Sequence, residues 1–295
     1  MDTILLTGAL GGLGRWTIEE LAGEYRIVGV DRHRPRGPTP YDDVAYFAAD
    51  LTEQGPTRDL VDRFDPDAVV HLAAIPGADH RAGGETFFHN VQSTYTVFDA
   101  AGRVGAPVVW TSSEATYGVT FRDEARPLES LPIDESHAQR PEDGYGLSKV
   151  VGETMADWAW RRHGISVTSI QPSWIQFPGE YETSAIRAQF SLDDPTPSGS
   201  CWSYVDVRDV AQLIGRALAD GPPGHERYLA VAADNYLGVP TADAIEAAWG
   251  TLPEDCDLDG EAAAFTTAKA ADDLGWEPRH TWRDAETADV EGPRI

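Results

Sequence analysis

The chain has 295 residues, enough to bury a large core, and 41% of them are hydrophobic, which excludes a disordered acidic chain. Its 49 acids against 23 Lys plus Arg give a net charge of −26, dispersed rather than gathered into a tail. Such a surface repels nucleic acid and anionic membranes, and no apolar run reaches the ~20 residues that a membrane span needs.

Residues 3–7 form a short apolar run with strand character, followed by Gly8-Ala9-Leu10-Gly11-Gly12-Leu13-Gly14 and a helical pattern through Trp16, Ile18, Leu21 and Ala22. Strand, glycine turn and helix is the context of a dinucleotide fingerprint: glycines let backbone approach a pyrophosphate, and the helix start offers unpaired N–H groups. A second strand, 26–30, ends in Asp31, 23 positions after Gly8, where an acid meets the adenosine ribose. Arg32-His33-Arg34-Pro35-Arg36 follows at once. Arginine at this turn accommodates a 2′-phosphate, so dual cofactor use is expected, with NADP slightly ahead of NAD. The alternative is a solvated loop, since Arg161-Arg162-His163 shows that other basic runs exist in the chain.

Further strands are predicted near 44–48, 68–73, 107–111 and 165–170, with helical patterns between them. This alternation predicts an α/β fold, a Rossmann-type doubly wound parallel sheet, with ligands at the carboxyl ends of the strands. Each motif falls at such an end: Gly8, Asp31, Asp50, Leu72-Ala73-Ala74, Thr111-Ser112-Ser113 and Gln171-Pro172-Ser173. Residues 118–144 read as a long Pro- and charge-rich loop, a length usually functional. It leads to Tyr145-Gly146-Leu147-Ser148-Lys149, and Lys149 is one of only two lysines in the chain. Residues four apart share a helix face, and a cation beside a phenol lowers its pKa, making a tyrosinate base.

Beyond 172 the pattern loosens. A helix is predicted over 205–219, a last sheet strand over 227–232, helices over 241–249 and 267–274, and loops elsewhere. Residues 1–172 plus about 203–234 are read as the dinucleotide domain, and about 173–202 plus 235–295 as a small interleaved substrate lobe. Met1-Asp2-Thr3-Ile4 runs straight into a strand, so no signal peptide is expected. Cys201 and Cys256 make no zinc spacing and are read as packing residues, with no metal site. Acid excess with lysine nearly eliminated resembles cytoplasmic proteins of salt-accumulating cells, and that setting is expected.

As a set, Thr7-Gly8-x-x-Gly11-x-x-Gly14, His71-Leu72-Ala73-Ala74, Ser112-Ser113-x-x-x-Tyr117-Gly118, Tyr145-Gly146-x-Ser148-Lys149 and Tyr204-Val205-Asp206-Val207-Arg208-Asp209 resemble the extended short-chain dehydrogenase/reductase family. The resemblance covers nearly the whole chain. It implies Tyr145 as acid/base, Lys149 as the group that lowers its pKa and holds the cofactor ribose, and Ser113 on the reacting oxygen. It also implies Gly8, Gly11, Gly12, Leu13 and Gly14 at the pyrophosphate, Asp31 at the ribose, and Asp50 and Leu51 at the adenine. Leu72, Ala73, Ala74, Asn90 and Pro172 would line the rest, Arg32 and Arg34 the 2′-phosphate.

Nucleotide-sugar epimerases of this family carry an asparagine and then an arginine after the strand that follows the catalytic lysine. Here the stretch reads Gln171-Pro172-Ser173-Trp174-Ile175-Gln176-Phe177-Pro178, without either. The chain is therefore more similar to dehydrogenases that oxidise C1 of a free sugar, such as L-arabinose 1-dehydrogenase or uronate dehydrogenase. A neutral sugar needs hydroxyl-binding groups, which Ser113, Glu114, Gln171, Ser173, Trp174 and Gln176 supply. A uronate needs an arginine, for which Arg187 is the candidate, its alternative being a solvent-facing helix residue. Expected partners are a small sugar and, from the resemblance, a second copy of the chain.

Overall fold

The computed structural model describes residues 1–37, 39–76, 83–119 and 128–294. Its first half alternates strand and helix: β1 (Thr3–Thr7), α1 (Gly12–Leu21), β2 (Arg26–Asp31), β3 (Val44–Ala48), α2 (Gln54–Phe64), β4 (Ala68–His71), α3 (Gly83–Val104) and β5 (Val108–Thr111). A 3-10 turn, Glu114–Tyr117, precedes β6 (Ser130–Leu131), α4 (Gly144–His163), β7 (Val167–Pro172), β8 (Trp174–Gln176), α5 (Thr183–Arg187) and β9 (Tyr204–Asp206). Then follow α6 (Val207–Asp220), β10 (His225–Ala230), α7 (Thr241–Trp249), β11 (Asp255–Cys256), α8 (Ala268–Leu274) and α9 (Trp282–Ala285).

Seven parallel strands form one sheet in the order β10-β7-β5-β4-β1-β2-β3. The order reverses between β1 and β4, which pair from Ile4 with Ala68 to Thr7 with His71, so the binding crevice opens there. Apolar runs suit these strands because both faces are covered. Ile4, Leu6, Val70 and Val109 pack on one side with Ile18, Leu213 and Ile214. Their neighbours Leu5, Val69, Val108 and Trp110 pack on the other with Val61, Phe98 and Ala156.

A third cluster lies outside the sheet: Tyr181, Trp202, Tyr204, Tyr236 and Phe265 are buried together, with Trp174, Trp249 and Trp282 against them. Ala270, Leu274 and Trp276, within the segment read from sequence as the lobe, pack instead beneath the sheet with Ile214 and Tyr228. Two small sheets, β11 with β6 and β8 with β9, replace stretches read as loop and as the start of a helix. The helix expected from 205 starts at Val207, where the Asp206 side chain caps it by accepting the Arg208 N–H. The last sheet strand lies at 225–230 rather than 227–232. Of the predicted 118–144 loop, residues 120–127 lie outside the described residues. Among the described residues no helix is long and apolar enough to cross a membrane, and no His, Cys, Asp and Glu side chains group as a metal site.

Candidate active site

At the end of β1 the chain turns through Gly8, whose φ of +73° is left-handed. A Cβ there would sit 2.8 Å from the Ala73 nitrogen, so a side chain would push apart the ends of β1 and β4. A Cβ on Gly14 would lie 2.0 Å from the Gly8 carbonyl oxygen, and one on Gly12 would meet the Phe177 ring. Gly11 caps α1 without a side-chain hydrogen bond, and no acid stands in the first turn. The unsatisfied N–H groups at this helix start, beside a turn where Gly8 and Gly14 leave no room for a side chain, fit a dinucleotide pyrophosphate. Leu13, next to these glycines, is half-buried against the core below the turn.

Asp31 spans the turn: one carboxylate oxygen accepts from the Leu10 N–H at 3.0 Å and the other from the Arg32 N–H at 2.7 Å. Beyond it opens a groove of about 760 Å³ lined by Arg15, His33, Arg34, Arg36, Thr39 and Arg294 among others. Arg34 lies over the Phe47 ring, 5.5 Å from its centre. Arg32 is not part of this lining, whereas Arg15 and Arg294, overlooked in the sequence, are. Asp50 is exposed; the Thr52 hydroxyl and N–H hold its carboxyl below the usual range, while Leu51 is buried. Leu72, Ala73 and Ala74 are half-buried along the crevice.

Asn90 is placed differently from the expectation. Its oxygen accepts from the Ile75 N–H at 2.8 Å, and its amide donates to the Ile75 carbonyl and, at 3.4 Å, to Ser148. Its side chain ties the backbone at Ile75 to Ser148 of α4. Pro172 ends β7, pairs with Ala230 and is buried.

Asp143 caps α4 by accepting the N–H groups of Tyr145 and Gly146 at 2.7 and 2.9 Å, which fixes the helix start. The Tyr145 and Ser113 hydroxyls are hydrogen-bonded to each other. Lys149 is buried; its ammonium donates to the Thr111 carbonyl at 2.7 Å and lies 5.4 Å from the Tyr145 ring centre and 5.3 Å from that of Trp110. A Cβ on Gly152 would meet the Trp110 ring at 2.4 Å, so the missing side chain lets α4 lie flat on the indole.

The electrostatics of this pair depart from the expectation. Burial pushes Tyr145 up to about 12, with Ser113 lowering it and Asp143 and Glu114 raising it. Burial also brings Lys149 down to about 7, against the opposing pull of Glu153. In this state desolvation outweighs the cation's field, and the chain holds a phenol beside a lysine poised to lose its proton. His71, beneath the crevice between Thr7 and Thr94, is lowered to about 3 by burial and by Lys149, and stays neutral.

Glu114 is buried, and its charge raises both Tyr145 and Tyr236. Ser173 is buried and its hydroxyl has no partner among the described residues. Trp174 stands edge-on to Tyr236, with ring centres 6.2 Å apart. Gln171 and Gln176 do not serve as hydroxyl ligands. Gln171 accepts from the Tyr117 hydroxyl and donates to Thr116 and Glu153. Gln176 accepts from the N–H groups of Glu182 and Thr183 and donates to the Ile175 carbonyl. Arg187 is not a solvent-facing helix residue: its guanidinium donates to the Tyr236 carbonyl at 3.4 Å. It pairs with Glu286 at 2.6 and 2.7 Å and stacks on Trp282 at 3.8 Å. Sequence reasoning missed Tyr236 and Glu153, although Glu153 stands four positions after Lys149, the spacing that identified Lys149 itself.

The model of the NAD dependent epimerase/dehydratase family matches residues 4–230. Over 227 residues the chain is 29% identical to a uronate dehydrogenase of Pseudomonas putida, covering 76% of this chain and 74% of that one. Over 185 residues it is 31% identical to an L-arabinose 1-dehydrogenase (NAD(P)(+)) of Haloferax volcanii, covering 59% and 68%. Among solved structures, a UDP-glucose 4-epimerase of Thermotoga maritima superimposes with a TM-score of 0.71 at 18% identity, covering 97% and 96% of the two chains. The chain belongs to the NAD dependent epimerase/dehydratase family.

Proposed function

We propose that this family member oxidises C1 of a free, neutral aldose to the lactone, reducing NAD or NADP. The observation that carries the reading is the pairing of Tyr145 and Ser113 next to a buried carboxylate, Glu114, and the unpartnered hydroxyl of Ser173. Buried polar groups without partners are costly, and a sugar hydroxyl beside Ser173 would supply the partner that its hydroxyl lacks among the described residues. A carboxylate here favours a neutral polyol over an anionic sugar. Arg187, committed to Glu286 and Trp282, gives no support to the uronate alternative.

When bound, an oxidised nicotinamide supplies the hydride acceptor. The chain's residues manage the proton and the geometry. Ser113 holds the C1 hydroxyl oxygen; Tyr145, once its own proton has passed to solvent, takes that hydroxyl's proton as the C–H bond breaks, and protonated Lys149 stabilises the phenolate that precedes the step. Gly8, Gly11, Gly12, Leu13 and Gly14 hold the pyrophosphate. Asp31 takes the ribose, Asp50 and Leu51 the adenine, and Leu72 to Ala74 with Pro172 the remainder. The 1–172 and 203–234 segments carry these groups, and the lobe covers the sugar.

Dual cofactor use is supported by the groove beyond Asp31, whose arginines oppose the repulsion between that carboxylate and a 2′-phosphate. Homodimer formation is supported by Phe88, Tyr95, Leu147 and Trp160, large apolar side chains exposed on α3 and α4. The test of the function is reduced-nicotinamide absorbance in molar KCl, with NADP and NAD, across free pentoses, hexoses and uronates. Reduction with a neutral aldose supports the reading. Reduction with uronates alone, or with none of these in folded protein, overturns it in favour of a uronate dehydrogenase or a nucleotide-sugar 4-epimerase respectively.

A further inference from the structure

Lys149 and Glu153 stand one turn apart on α4, and the end of β5 holds both. Thr111 accepts from the Lys149 ammonium, and the next residue, Ser112, donates its hydroxyl to Glu153 at 2.5 Å. Glu153 is buried and heavily engaged. It accepts from Gln171 at 2.9 Å and from Gln139, and it faces the Arg227 guanidinium at 3.6 Å. This carboxylate also forms part of the wall of a cavity of about 570 Å³ on the sheet edge, separate from the crevice of the cofactor. We propose that Glu153 is a positioning residue that keeps Lys149 protonated, and that Arg227, entering from the cavity, sets how strongly it does so.

The physical case rests on what surrounds each group. Around Lys149 are the Trp110 and Tyr145 rings, neutral His71 from β4, and Glu153. Of these, Glu153 is the buried anion, so its field opposes the desolvation that favours the free amine. Around Glu153 are Ser112 from β5, Gln171 from β7, Gln139 from the loop before α4, Tyr117 from the 3-10 turn and Arg227 from β10. The same cavity is lined by Asp134, Glu135 and Asp157 and by His225, Glu226 and Lys269, with Lys269 paired to Glu226 and His225 to Asp157. A base formed from Tyr145 needs an ammonium beside it, and burial alone removes that ammonium near neutral pH. Glu153 opposes that loss from outside the crevice, and a cation on Glu153 weakens the effect.

The catalytic consequence rests on the reading of Tyr145 and Lys149 given above; the charge on Lys149 does not. Because the chain has two lysines, ε-carbon-13 lysine labelling of the full chain gives two titrating NMR signals, and Lys269→Arg assigns them. In the wild type Lys149 is expected to titrate near 7. Glu153→Gln should lower that midpoint by about one unit, and Arg227→Gln should raise it. If Glu153→Gln does not fold, Arg227→Gln, at a side chain a third exposed, decides alone. Opposite shifts support the inference even if no sugar is oxidised, which would sink only the dehydrogenase reading. Midpoints moving by less than about 0.2 unit, or both the same way, overturn it, whatever the activity. In an active enzyme the alkaline limb of kcat should move with the NMR midpoint.

Discussion

The carboxyl edge of the parallel sheet and the aromatic lobe beside it are built by opposite means. At the sheet edge, close approach is made by leaving atoms out: Gly8, Gly14 and Gly152 are positions where a side chain would strike Ala73, Gly8 or Trp110. In the lobe the space is filled by large rings. Trp202 stacks on Trp249 at 5.8 Å and meets Phe190 edge-on, and Tyr204 and Tyr236 meet edge-on as well. The edge also buries Lys149 and half-buries Tyr145, whose charged forms desolvation disfavours, whereas the lobe's arginines are paired, Arg187 with Glu286 and Arg283 with Asp234 and Glu261. The edge holds strained electrostatics on a rigid sheet, and the lobe draws its cohesion from apolar packing.

The sharpest way to break this contrast is Tyr145→Phe. It removes one hydroxyl at the edge and is expected to lower kcat by about 10²–10⁴-fold with the melting temperature nearly unchanged, read by initial rates and calorimetry. Next is Trp202→Ala in the lobe, where a fully buried indole is lost. Stability should fall by about 3–5 kcal/mol in urea unfolding. The sugar KM should rise while the dinucleotide Kd holds, and equal losses in both would show that the two regions act as one.

Third, Lys149→Met should destroy turnover yet raise stability at neutral pH by on the order of 2–3 kcal/mol. The folded lysine titrates near 7 against an ordinary value of 10.5, so between those values the unfolded chain binds more protons. Wild-type stability therefore gains from this group as pH rises from about 7 towards 10.5, and the methionine variant should lack that slope in pH-dependent unfolding. The smallest effect belongs to the rim. Arg34→Ala with Arg36→Ala should raise the Kd for NADP by about tenfold and leave that for NAD nearly unchanged, measured by calorimetric titration. Equal changes for both would remove the 2′-phosphate from the groove.

The same contrast explains what could be read in advance. Seven parallel strands were legible because strands covered on both faces are apolar runs, and the expected roles of Gly8, Asp31, Tyr145 and Lys149 rest on local pattern: a strand–glycine–helix turn, a strand end and a one-turn helix spacing. β8 and β9 were not, since three-residue strands paired across about thirty positions leave no local periodicity. Gln171, Gln176 and Arg187 looked free to meet a sugar, and only their partners decided otherwise. Those partners are Tyr117, Glu182 and Glu286, brought together by the fold.

By itself the sequence determined the sheet, the glycine turn and the spacing of Tyr145 and Lys149, because these are encoded by periodicity, by absent side chains and by helix geometry. Only the tertiary structure decided the ionisation of that pair, which polar groups are already satisfied, and that Glu153 faces Arg227. Burial and hydrogen-bond partners are properties of residues far apart in the chain, and no local pattern carries them.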